Sequence, residues 1–174
     1  MTLRPGSLAP SGDRATVSVV VAVDVADAFE VFTQEIDLWW KRGPRFRIAG
    51  HRPGTLQFEA GLGGRLFETF ETASGPKVFE VGRVTAWEPP SRLVLEWRNA
   101  NFAPNERTEV EVLFEPAGGG TRVTVQHRGW AALRPDHPAR HNLAGSAFSR
   151  MMGLWWGDQL TALRELAELL RSRA

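Results

Sequence analysis

Two hydropathy periods constrain this chain more than anything else in it. Between residues 92 and 128, apolar and polar residues alternate with a period of two in three successive segments. Leu93, Leu95 and Trp97 alternate with Val94, Glu96 and Arg98, while Val110, Val112 and Phe114 alternate with Glu109, Glu111 and Glu115. Val123, Val125 and His127 alternate with Arg122, Thr124 and Gln126. Such alternation gives strands with one buried and one wet face, as in an antiparallel sheet. Gly118-Gly119-Gly120 predicts a hairpin between the last two. The period then changes. Over 139–172, Met152, Trp155, Trp156, Gln159, Leu160, Leu163, Leu166, Ala167 and Leu170 form one helical stripe, with Asp158, Thr161, Glu165 and Glu168 opposite. A sheet with one apolar face must cover it, and a helix of about 30 residues spans ~45 Å, enough to lie across a curved sheet.

Upstream, the β-branched stretch 15–23 predicts a first strand. Val25, Phe29, Phe32 and Ile36 then fall on one helical face, with Asp27 and Glu30 as a capping-box-like start. This helical region ends near Trp39-Trp40-Lys41, before Gly43-Pro44. Segments 45–50, 55–59, 65–72 and 77–87 also have strand character, although a bulge in a strand as long as 77–87 can invert its parity. The pattern is α+β, with a single domain over 15–174 behind a Pro/Gly-containing leader, 1–14.

Composition narrows the chemistry by exclusion. Cysteine is absent, which removes disulfides, thiol nucleophiles and cysteine-bound metals. The formal net charge is +1, so a broad nucleic-acid surface is not expected. No stretch of 18 apolar residues and no signal peptide is found, and a cytoplasmic protein is the default expectation. GLGG at 61–64 lacks the G-x-G-x-x-G spacing of a phosphate loop.

The segments VAVDVADAFEVFTQEIDLWW (21–40), GGRLFETFE (63–71), GRVTAWEPPSRLVLEW (82–97), TEVEVLFEPAGGGTRVTVQHRGW (108–130) and WWGDQLTALRELAELL (155–170) resemble, in that order, the SRPBCC superfamily. The resemblance is closest to its branch related to the activator of heat-shock-protein-90 ATPase, the AHSA-like domains. It implies the START-like, helix-grip fold also found in Bet v-like proteins. That fold is a curved seven-stranded antiparallel sheet around a long C-terminal helix, with two short helices after the first strand. It also implies a cavity that often takes a small hydrophobic or amphipathic molecule. No cofactor is expected.

Seven Trp and ten Phe supply the aromatic mass for a core or a cavity lining. Candidate cavity residues are Phe67, Glu68, Phe70, Phe79, Arg83, Trp97, Phe114, His127, Met152, Trp155 and Trp156, with Phe102 a candidate lid in the loop 99–107. Glu68 shares a strand face with Leu66 and Phe70, either alone among apolar groups or paired with Arg65 or Arg83. Arg83 could anchor a ligand carboxylate. His127, alternating with Val123 and Val125, is either a polar group in the cavity or a core histidine bonded to backbone. His137 and His141 have i, i+4 spacing, but Pro138 between them places His137 outside the helix, and no metal site is expected. Gly153 and Gly157 suggest a close backbone approach to a strand or a ligand.

Three functions are compatible with this pattern. The first is binding of a small hydrophobic or aromatic molecule. The second is a protein-partner module, which needs an exposed apolar patch, with Trp39-Trp40 and Trp130 its foremost candidates. The third is a cyclase- or hydrolase-like enzyme, which needs at least two of His127, Glu68 and Arg83 in one cavity. Either a monomer or a homodimer is compatible with the sequence.

Overall fold

The structure is a computed structural model in which residues 13–173 are described; most of the leader, 1–12, lies outside them. Seven strands form one antiparallel sheet: β1 (Ala15–Val21), β2 (Gly54–Phe58), β3 (Arg65–Thr72), β4 (Gly75–Glu88), β5 (Arg92–Trp97), β6 (Thr108–Ala117) and β7 (Gly120–Arg128). Their order is β1-β7-β6-β5-β4-β3-β2, so β1 closes the sheet beside the last strand and every other neighbour is a hairpin partner. Two short helices, α1 (Val25–Thr33) and α2 (Ile36–Trp39), follow β1, and the long helix α3 (Gly145–Ser172) ends the chain. α1 packs on β6 and β7, α2 on β2, and α3 runs beside β1.

Two of the three period-two strands, β6 and β7, behave as their sequences require, while in β5 Val94 is buried rather than on the wet face. Val110, Val112 and Phe114 are buried in β6, and Val123, Val125 and His127 in β7. On the opposite face Arg128 pairs with Glu109 and Glu111, and Arg92 with Glu111. The β6–β7 hairpin turns on Gly118 and Gly119, both at positive φ (53° and 87°), the backbone that a two-residue hairpin loop demands. From α3, Phe148, Met152, Trp156, Gln159, Leu160, Leu163 and Ala167 are buried.

Four expectations are corrected. Segment 45–50 is a run of turns rather than a strand: Gly43 and Gly50 take positive φ (99° and 66°), and Arg47 N–H bonds to Gly43 C=O. The long helix begins at Gly145, not near 139, because His141 and Asn142 are left-handed (φ 48° and 61°) and cannot continue a right-handed helix. The cap of α1 is Asp24, whose carboxylate accepts the Asp27 N–H, so Asp27 sits inside the first turn. Finally, Gly153 and Gly157 mark no close approach to a strand: a Cβ at either would meet no protein atom within 4 Å.

That last correction carries a prediction. Gly153→Ala and Gly157→Ala should each stabilise the protein by about 0.5–1 kcal/mol, because alanine limits the unfolded chain and costs no contact in the folded one. Gly82→Ala should do the reverse, since its Cβ would lie 2.8 Å from the Glu96 carbonyl oxygen. Urea denaturation of the three variants checks both signs.

Two register shifts fix the parity of β4. Val81 is passed over between the Leu66–Gly82 and Phe67–Glu80 pairs, and Thr85 between the Val84–Leu95 and Ala86–Val94 pairs. Val81 and Gly82 are therefore both buried, Arg83 is turned outward, and Trp87 reaches Phe29 and Phe58.

Candidate cavity site

Between α3 and the β2–β5 side of the sheet lies a cavity of about 610 Å³, within the size range of small-molecule sites. Its inner wall comes from the sheet (Leu56, Leu66, Glu68, Val81, Trp97 and His127), from Met151, Met152 and Trp155 of α3, and from Trp40 and Trp130. The exposed residues Pro44, Arg45, Ala100, Asn101 and His141 mark its mouth.

The aromatic wall is cross-braced. Trp40 contacts Trp97, Trp155 and Trp156 at centroid separations of 5.7, 5.6 and 5.7 Å, within the range of favourable ring pairs. Each lining indole but one has an acceptor. Trp40 Nε1 donates to Phe46 C=O (2.9 Å), Trp155 Nε1 to Arg45 C=O (2.7 Å) and Trp97 Nε1 to Asn99 Oδ1 (3.0 Å). The exception is Trp130, whose buried Nε1 has no acceptor among the described residues.

His127 is fully enclosed. The Trp156 indole, which can only donate, gives its N–H to His127 Nδ1 at 3.1 Å, and Nε2 lies 2.6 Å from Thr108 Oγ1. Nδ1 is therefore unprotonated, and the neutral ring carries its proton on Nε2 toward Thr108. Burial favours the same form and pushes the imidazole pKa down to about 3.

Glu68 is the buried acid of the cavity wall. Its two oxygens accept the backbone N–H groups of Ile48 (2.7 Å) and Ala49 (3.1 Å), pinning the 43–50 turns to β3. Neither Arg65 nor Arg83 reaches it: Arg65 is paired with Glu59 and Arg83 with Glu80. The same turns are braced from within by Arg47. Its buried guanidinium donates to Asp37 Oδ1 (2.7 Å) and to the carbonyls of Trp40 (2.7 Å), Asp37 (3.2 Å) and Lys41 (3.2 Å). Partial burial alone would raise the Asp37 pKa. The Arg47 hydrogen bond, the Leu56 N–H and the charges of Arg47 and Arg42 outweigh it and hold the carboxyl below its usual range.

Of the residues singled out from sequence, Glu68, Trp97, His127, Met152 and Trp155 come together in the wall. Trp156 stands behind it, holding His127. The rest lie elsewhere. Phe114 packs on Phe29 and Phe32 beneath α1. Phe70 is buried under the Arg52 guanidinium, 5.6 Å from its centroid. Phe67 has the opposite parity to Glu68 and stacks with Arg65. Phe79 pairs across strands with Glu68 but stops short of the cavity. Arg83 is on the outer face, placed there by the first bulge of β4. Phe102 is no free lid: it packs edge-on against Trp130 and His137, and its neighbours Asn99–Asn101 line the cavity instead. His137 is buried and uses both nitrogens, bonding Glu106 through Nε2 and the Ala139 N–H through Nδ1, so it makes no chelating pair with His141. Sequence reading missed the wall supplied by 44–48. The Gly43-Pro44 and Gly50 punctuation was the available sign that this segment turns rather than extends.

An antiparallel sheet gripping a long helix over a hollow of this kind defines the helix-grip class. Residues 22–168 match the family described as activator of Hsp90 ATPase homolog 1-like protein. The chain belongs to that family. Comparison with curated proteins found no match. Among solved structures, the anthrahydroquino-Gama-pyrone synthase Txn09, complexed with SUM, is 28% identical with a TM-score of 0.56, over 91% of this chain and 99% of that one. Protein MLL2253 from Mesorhizobium loti is 19% identical with a TM-score of 0.60, over 89% and 96% of the two chains. The Aha1 dimer from Colwellia psychrerythraea is 14% identical with a TM-score of 0.56, over 89% and 96%. Among the described residues no helix is long and apolar enough to cross a membrane.

Proposed function

We propose that this protein binds one small hydrophobic or aromatic molecule in the cavity between α3 and the sheet, as a single cytoplasmic domain over 15–174. The observation that carries the reading is the hollow of about 610 Å³ walled by Trp40, Trp97, Trp130 and Trp155. A core that needed only to be filled would not leave such a volume beside rings already braced by one another. The similar structure of the synthase Txn09 is a complex with SUM, which favours a binding role for this fold.

The partner-module reading loses its foremost candidate residues, although Leu38 beside Trp39 is exposed. Trp39, Trp40 and Trp130 are all buried, and Trp39 donates its N–H inward to the Val31 carbonyl. The enzyme reading keeps Glu68 and His127 in one wall and loses Arg83 to the outer face. His127 has both nitrogens engaged by Trp156 and Thr108, which leaves none to take a substrate proton.

The uncharged fluorophore N-phenyl-1-naphthylamine tests the binding reading. It should bind the wild-type chain one-to-one, and Met151→Trp, which puts an indole into the hollow from α3, should weaken binding at least about tenfold (about 1.4 kcal/mol). Unsaturable binding, or an unchanged affinity in a folded Met151→Trp variant, sinks the reading.

A further inference from the structure

We propose that the molecule taken by this cavity carries a protonated amine, held at Glu68; the inference rests on the cavity reading and adds the chemical class of the ligand. It follows from the charges around the hollow. Arg47 is committed to Asp37 and to three backbone carbonyls. Arg45 faces Asp158 at 3.8 Å. His127 is neutral, because its Nδ1 accepts the Trp156 N–H. His141 stands at the exposed mouth, and Glu68, in the inner wall, has no ionic partner among the described residues. Among the described residues no Lys, Arg or His nitrogen lies within 4.0 Å of its carboxylate, although the residue is only 3% exposed.

On its far side Glu68 borders a smaller depression edged by Arg42, Arg47, His51 and Arg52. None of these cations makes an ion pair with Glu68: Arg42 and Arg47 share Asp37, Arg52 lies over the Phe70 ring, and His51 is farther than 4.0 Å from the carboxylate. The carboxylate accepts only the Ile48 and Ala49 N–H groups. A carboxylate offers about four acceptor sites, so both oxygens retain capacity for a donor arriving from the cavity.

A buried carboxylate without a cation has given up hydration with no charge to compensate it, and a cationic donor offsets that loss where a neutral or anionic one does not. The rest of the wall suits the same group. The indoles of Trp40, Trp97 and Trp155 line the hollow that Glu68 faces, and indole faces attract cations, more strongly when water is excluded. An anionic ligand would meet the opposite situation, an unpaired carboxylate and electron-rich rings.

Three indoles of near-equal size separate these cases: tryptamine (cationic), tryptophol (neutral) and indole-3-propionate (anionic). In calorimetric titrations of the full chain at pH 7, tryptamine should bind at least about tenfold tighter than tryptophol (about 1.4 kcal/mol), and the propionate should be weakest. Glu68→Gln should collapse the tryptamine-to-tryptophol ratio to about twofold or less. If tryptophol or the propionate matches tryptamine on the wild-type chain, the amine inference is overturned and the cavity reading stands. If tryptamine fails to bind while N-phenyl-1-naphthylamine binds, the same conclusion holds. If none of the four compounds binds, both readings fall. The wild-type ratio decides the matter even if the variant does not fold.

Discussion

Replacing Arg47 with methionine should cost at least about 3 kcal/mol of stability, among the largest losses available to a single substitution in this protein. The guanidinium is buried and donates to Asp37 and to the carbonyls of Asp37, Trp40 and Lys41. Methionine matches the stem and leaves those acceptors without their donor. Removing one partner of a buried ionic pair costs about 3–5 kcal/mol, because the other is left uncompensated. Arg42, still paired with Asp37 at 3.2 Å, relieves part of that cost and puts the expected value at the low end. For a chain of this length the loss corresponds to a fall in melting temperature of roughly 6–12 °C. Because the same guanidinium braces the turns that carry Phe46 and Ile48 into the cavity wall, binding of N-phenyl-1-naphthylamine should weaken as well. A thermal midpoint within 2 °C of wild type (below roughly 1 kcal/mol) would show that the network is ornamental.

Stability should also fall between pH 6.5 and about pH 3 through His127. In the unfolded chain an ordinary histidine takes up a proton near pH 6.5; in the fold, burial keeps the ring neutral down to about 3. Above pH 6.5 both states are neutral and the residue adds no pH dependence. Below it the unfolded chain binds a proton that the fold excludes, and stability declines by up to about 1.4 kcal/mol per pH unit. At pH 5 the expected loss is about 2 kcal/mol. Asp37 acts in a different window. Its folded pKa is lowered beneath the ordinary 3.8, so its stabilisation is present above that pH and is lost only as the pH falls further. Urea midpoints at pH 7.5 and pH 5 for wild type and His127→Gln check the assignment: the wild-type difference should shrink in the variant. A ring that titrates near pH 6.5 in NMR spectra of the folded protein would refute it.

The sequence was most informative where one face of a strand is simply buried. β6 and β7 alternate cleanly because each has one face on the core and one on an ion-pair surface, whereas in β5 Val94 is buried together with Leu93 and Leu95. It was least informative where a single inserted residue resets the parity. The β4 bulges put Val81 and Gly82 side by side in the interior and turn Arg83, a cavity candidate, outward, and no local pattern in 77–87 marks a bulge. Segment 45–50 imitates a strand because Phe46 and Ile48 alternate with Arg45 and Arg47. Yet Arg47 is buried and Phe46 is only partly so, since the arginine is paired with Asp37 of α2 rather than with solvent. Glu68 shows the limit for the site. Its inward facing was legible from Leu66 and Phe70, but its partners are backbone N–H groups some twenty residues upstream, which no pairing of side chains in sequence could have named.

The division between wall and mouth has a consequence for how such a protein can change. Glu68, Trp97, His127 and Met152 belong to the sheet and to α3, where a new side chain disturbs the packing of several elements. Pro44, Arg45, Ala100, Asn101 and His141 stand on connections, exposed on one side and bordering the hollow on the other. Substitutions there meet few neighbours. Lineages can therefore drift at the rim and alter which compounds are admitted, while the interior that makes the chain foldable is inherited intact.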